Sequence, residues 1–102
     1  MDYLQIGDKA FSSRLMVGTG KYLSSKLMID SLKTSECEIV TVAIRRIKQD
    51  EDKENLMQQI DWNKYWMLPN TAGCSNAEEA IRIALLGREL AKLAGQEDNN
   101  FV

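Results

Sequence analysis

The sequence predicts an α/β fold: a short β-hairpin, then strands and helices in alternation, the order that builds a parallel sheet with right-handed crossovers. Three observations predict it. Short apolar runs, "RLMVG" and "EIVTVAI", have the length and the β-branched content of buried strands. Between and after them, apolar residues recur at helical spacing. Turn residues punctuate the boundaries: Gly7-Asp8, Gly18, and Pro69 through Gly73. With 102 residues, 44% of them apolar and 27% charged, the chain has the size and composition of one small globular domain.

From Tyr3 to Phe11 the chain reads as a hairpin, "LQI" and "KAF" flanking a two-residue Gly7-Asp8 turn of type II′, in which glycine takes a positive φ. "RLMVG" follows as a buried strand ending at Gly18. Ser24 and Ser25 are N-cap candidates for a helix over "KLMIDSLKTSE", with Leu23, Leu27, Met28 and Leu32 at helical spacing. Glu38 to Ile44 forms the second strand and ends at Arg45-Arg46. "KQDEDKE" is a charged, solvated loop, and "NLMQQIDW" a short helix. "KYWML" is the third strand, stopped by Pro69, which cannot donate to a ladder. Ser75 and Glu78 have the spacing of a capping box, opening a helix whose stripe is Ile83, Leu86, Leu90 and Leu93, flanked by Ala80, Ala84 and Ala91. Glu78 and Arg82 stand at i,i+4, and Gly95 suits the helix end. After the polar loop "QEDNN", Phe101-Val102 reads as the start of a further strand, so the sequence is expected to be cut within a larger fold. Met16, Met28, Met57, Met67, Trp62 and Trp66 are assigned to the core or its margin.

A net charge of -2 gives no sign of a nucleic-acid surface, and no apolar run approaches the roughly 18 residues of a membrane span. The start, "MDYLQIGDKAF", has no signal or transit pattern, which implies a soluble protein of the cytoplasm or of a plastid stroma. Two distant cysteines and no histidine do not make a structural zinc site and exclude Cys-His and Ser-His catalysis.

Candidate functional residues gather where strands end. "GTGKY", Gly18 to Tyr22, is neither a P-loop, since Leu15 stands where the first glycine belongs, nor a dinucleotide fingerprint, since no third glycine follows. It remains a glycine-flanked loop that lets a backbone approach a ligand, or a tight turn with a solvated lysine. Arg45-Arg46 can hold a phosphate or carboxylate, or pair with a neighbouring acid. Asn70 and Thr71 can face a ligand or close a turn. Cys74 has no His or Lys beside it and is read as inert, and Glu78-Glu79 as helix-capping acids. In a parallel sheet Gly18, Arg45 and Asn70 share one rim, the end at which such sheets bind ligands.

"IGDKAFSS" with "RLMVGTGKY", then "TVAIRRI", then "LPNTAGCSNAEEAIRIALLGREL", resemble in the same order the bacterial and plastid thiazole synthase of thiamine biosynthesis, from about Leu4 to Val102. The charged stretch Lys48 to Glu54 is the least similar part. The resemblance implies the N-terminal part of a (β/α)8 TIM barrel of about 250 residues. Residues 1–102 would then be a single partial domain, the hairpin plus roughly the first three βα units, cut at the start of the fourth barrel strand. It further implies condensation of 1-deoxy-D-xylulose 5-phosphate, a glycine-derived imine and sulfur from a thiocarboxylated sulfur-carrier protein into a thiazole phosphate. A lysine Schiff base carries that reaction, without metal or organic cofactor, in an enzyme that forms homo-oligomers. The family's Schiff-base lysine falls just after Val102, so no catalytic residue is assigned to this chain, and Lys21 is not that lysine. Gly18, Thr19, Gly20, Asn70 and Thr71 are assigned to the active-site rim as substrate-binding positions. The alternative, from another class, is a small non-catalytic α/β ligand-binding or regulatory domain.

Overall fold

Gly7, at φ 59°, turns the chain between β1 (Leu4–Ile6) and β2 (Lys9–Phe11), an antiparallel pair in which Ile6 faces Lys9 and Leu4 faces Phe11. A positive φ at the first turn position alone is the type II′ geometry, which only glycine adopts without strain. The computed structural model describes residues 2–20, 22–49 and 56–102; Lys21 and most of the charged loop, 50–55, lie outside the described residues.

The other strands, β3 (Met16–Gly18), β4 (Ile39–Ala43) and β5 (Trp66–Asn70), form one parallel sheet in chain order, with Met16, Ile39 and Trp66 level with one another. Helix α1 (Ser25–Ser35) connects the first two. The short α2 (Ile44–Gln49) and α3 (Leu56–Gln59) lie between the next two, and α4 (Ala77–Leu93) follows β5. The architecture is mixed α/β. None of the described helices is long and apolar enough to cross a membrane.

Period-two alternation separates the sheet's faces. Val40, Val42, Met67 and Pro69 are buried; the first three pack with Met28 and Leu32 of α1 and Ile83 and Ala91 of α4, and Pro69 lies against Gly87 of α4. Met16, Thr41, Ala43, Trp66, Leu68 and Asn70 alternate onto the opposite face, where they are half-buried or exposed. Helix α4 approaches closely because Gly87 faces Pro69: a Cβ there would stand 2.7 Å from the proline Cβ. A helix-interior glycine costs about 1 kcal/mol relative to alanine, and this contact is what it makes room for.

Several expectations are corrected by this packing. Pro69 lies inside β5 rather than ending it. Its neighbour at the same phase, Met67, directs N–H and C=O away from β4, toward Gln96 and Asn99. Pro69 therefore turns its nitrogen outward too, and no β4–β5 bond is lost. Arg45-Arg46 do not trail from a strand but belong to α2, which begins directly after Ala43. The buried line of α4 is Ile83, Gly87 and Ala91; Leu86 sits at its margin and Leu93 is 83% exposed, because the closest approach is over the small residues. Leu23 precedes the Ser24 cap and is 95% exposed, and Met16, on the β3 edge, is exposed rather than core. Phe101-Val102 is not a strand: Asn99 caps the open side of β5 at Met67, and Phe101 donates its N–H to Asn99 Oδ1 at 2.9 Å.

The amino end of the sheet is sealed. Gln96 donates to the carbonyls of Trp62 (2.9 Å) and Tyr65 (2.8 Å) and accepts from Met67 N–H (3.1 Å). Asn99 donates to the Met67 carbonyl at 2.8 Å. The α4 C-terminus brings them there through a Schellman turn, in which Gln96 N–H reaches Ala91 O and Gly95 N–H reaches Lys92 O. Phe101 packs edge-on against Phe11 and Trp66, and Lys9 lies 4.0 Å over the Trp66 ring. Glu38 ties the hairpin to β4 by accepting from Ser12 Oγ and from the N–H groups of Ser12 (2.9 Å) and Ser13 (3.0 Å). The Ser12 hydroxyl foremost, with those N–H groups, holds its carboxyl below the usual range, against the opposing push of burial.

Candidate functional site

Parallel alignment carries Gly18, Ala43 and Asn70, the last residues of β3, β4 and β5, to the carboxyl end of the sheet. Thr41 joins the outer two strands to each other. Thr19 Oγ1 donates to the Thr41 carbonyl at 3.0 Å, and Asn70 Nδ2 reaches Thr41 Oγ1 at 3.4 Å. The other end of the Asn70 amide, Oδ1, accepts the Ala72 N–H at 3.1 Å, so the side chain is oriented from both ends. Thr71 contributes its carbonyl to a turn closed by Cys74 N–H at 3.1 Å. Gly18 stands opposite Thr41 in the ladder.

The loop after β5 is fixed by a second set of contacts. Gly73 has φ 86°, and its carbonyl accepts from Arg45 Nη1, which occupies the space a Cβ would need. Arg45 Nε lies 3.5 Å from Glu79 Oε1. Glu79 Oε2 accepts from the Ser75 N–H (3.1 Å) and hydroxyl (2.9 Å), and Asn76 Oδ1 accepts the Glu79 N–H (2.8 Å). The Ser75 backbone and hydroxyl bonds, then Arg45 and Arg82, hold the Glu79 carboxyl below its usual range. The cap is thus one position later than the expected Ser75–Glu78 pair: Asn76 is the N-cap and Glu79 reaches back. Glu78 points to solvent and pairs with Arg82 at 4.0 Å. On the other side of the rim, Arg46 Nη1 stands where a Cβ of Gly20 would be.

Of the residues singled out in the sequence, Thr19 and Asn70 meet through Thr41, while Gly18 and Thr71 offer only backbone to these contacts. Lys21 lies outside the described residues. Cys74 is free and half-buried against the core. Thr41 was not singled out, though a threonine interrupting the apolar "IVTVA" was the available sign; Gly73 and Glu79 acquire their roles from the position of Arg45. Among the described residues no cluster of three or more His, Cys, Asp or Glu side chains could hold a metal ion. The arrangement offers a rim of oriented amide and hydroxyl groups with two guanidinium groups beside it, suited to binding a polar, anionic small molecule.

Residues 5–97 match the family described as thiazole biosynthesis protein ThiG. A thiazole synthase of Prochlorococcus marinus subsp. pastoris is 71% identical over 97% of this chain and 37% of its own length. That of Prochlorococcus marinus strain MIT 9215 is 72% identical over 97% of this chain and 38% of its own. In strain NATL1A the identity is 66% over 98% of the chain and 38% of the relative. The chain therefore spans little more than a third of the length of these curated relatives.

Proposed function

The chain belongs to the ThiG family of thiazole biosynthesis proteins, and from that premise we propose that it is the N-terminal portion of a thiazole synthase, furnishing the first βα units of a (β/α)8 barrel and part of the active-site rim. The observation that carries this reading is the 71% identity, over 97% of the chain, to a protein named thiazole synthase. The sheet supports the barrel. Its strands neighbour one another in chain order, as a singly wound barrel requires. The helix-free face also carries Leu68 and Trp66, side chains that a closed barrel would cover.

In this reading the whole enzyme condenses 1-deoxy-D-xylulose 5-phosphate, a glycine-derived imine and sulfur delivered by a thiocarboxylated carrier protein. The Schiff-base lysine lies on the strand that follows, just after the position of Val102. Residues 1–102 bind and orient rather than form the covalent intermediate. Gly18, Thr19 and Gly20 supply a close-lying loop, and Asn70 and Thr71 supply polar groups at the next strand end but one. Thr41 holds the two loops in fixed relation. Oriented donors at a rim raise rate by holding reactants in a reactive geometry.

A chimaera tests this reading: residues 1–102 replace the matching segment of the Prochlorococcus marinus subsp. pastoris thiazole synthase. It should form thiazole phosphate from the three reactants, and borohydride should trap the sugar phosphate on a lysine outside residues 1–102. A folded chimaera with no turnover, or an adduct on Lys21, contradicts the proposal.

A further inference from the structure

Two arginines follow β4 side by side, and each lies against a glycine of a neighbouring loop. Arg45 is engaged there by the Gly73 carbonyl and by Glu79. Arg46 makes the same approach to Gly20 on the β3 side, but no carboxylate, carbonyl or aromatic ring of the described residues receives its guanidinium. Gly20 has no left-handed φ, so backbone conformation does not require glycine there. A Cβ there would meet Arg46 Nη1, and the exposed guanidinium would have to move aside for it. The Thr19–Thr41 bond fixes the adjoining loop against β4, which holds Gly20 in place beneath the guanidinium.

A guanidinium carries five N–H donors in a rigid fork that matches the paired oxygens of a phosphate or carboxylate. Arg45 shows how such a group behaves here when its partner is internal. We propose that Arg46, seated on Gly20, is the oxyanion-binding residue of this rim, taking the phosphate or carboxylate of a small reactant, with Arg45 as its structural counterpart. The proposal rests on the thiazole synthase reading for the identity of the reactants, but not for the binding of an anion.

Two measurements on the chimaera separate the possibilities. The first is phenylglyoxal modification followed by peptide mass spectrometry, with inorganic phosphate and acetate as the competing probes. Arg46 should be modified readily in their absence and protected by one of the two, phosphate protection pointing to the sugar phosphate and acetate protection to the glycine-derived carboxylate. Arg45 modification should not respond to either. Equal modification of Arg46 with and without both anions overturns the proposal. The second is steady-state kinetics of Arg46→Ala and Arg46→Lys. Loss of one charge-assisted pair should raise KM for one anionic reactant about tenfold, more than it lowers kcat, with partial recovery in Arg46→Lys. An unchanged KM for both reactants overturns the site while leaving the synthase reading intact. A chimaera that protects Arg46 but makes no thiazole leaves the anion site intact and overturns the synthase reading.

Discussion

At the amino end of the sheet, Gln96 and Asn99 are buried and each of their side-chain nitrogens and oxygens has a protein partner. At the carboxyl end, Thr19, Asn70 and Arg46 are half-buried or exposed, their bonds are fewer, and glycines replace side chains where loops meet arginines. One end is closed by the filled hydrogen bonds of Gln96 and Asn99 and by aromatic packing, although the buried Trp66 Nε1 there has no hydrogen-bond partner among the described residues. The other keeps oriented polar groups next to open space. A buried unsatisfied group is expensive, so residues that seal an end are bound to stability, whereas half-exposed groups are available for a ligand at little cost.

The comparison breaks most readily at Gln96. Gln96→Leu leaves the Met67 N–H and the Trp62 and Tyr65 carbonyls unpaired in a buried place, and should cost about 3 kcal/mol. Urea unfolding followed by the fluorescence of Trp62 and Trp66 measures it, and a loss near zero removes the distinction between the ends. At the carboxyl end, Gly73→Ala forces a side chain onto φ 86° and into Arg45, for a smaller loss of about 1–2 kcal/mol by the same assay. Asn76→Ala, which removes the α4 cap, should cost about 1 kcal/mol, with Asn76→Ser restoring most of it.

The smallest effect is a dependence on pH. The folded-state pKa of Glu38 is depressed from its ordinary 4.5. Its contribution is therefore present above pH 4.5 and fades as pH falls through the lower folded value. Glu38→Gln should make the acid limb of the stability curve shallower below pH 4.5 and leave the curve's shape at neutral pH unchanged. A mutant curve parallel to the wild type across the acid range contradicts the assignment.

The local signals were legible where one residue type had one physical use. Gly7-Asp8 marked its turn, the Ser24-Ser25 pair the helix start, and "IVTVA" its strand, because glycine conformation, hydroxyl capping and β-branching act within a few residues. Choices between near-equal neighbours were not. Ser75 and Asn76 differ little as caps, and the position of Glu79 between Ser75 and Arg45 decided between them. Pro69 and the α4 stripe depended on which edge of β5 is open and how closely Gly87 lets the helix approach, neither of which is written locally. The rim positions followed from strand ends, but the link through Thr41 required the register.

The separation of the two ends is tested most directly by Asn70→Ala in the chimaera, with turnover and Tm measured on the same preparation. Asn70 gives up one long bond to Thr41 and one to Ala72, so Tm should stay within about 4 °C while turnover falls about tenfold or more. Unchanged turnover, or a loss that merely follows a falling Tm as Gln96→Leu should, contradicts a functional carboxyl rim.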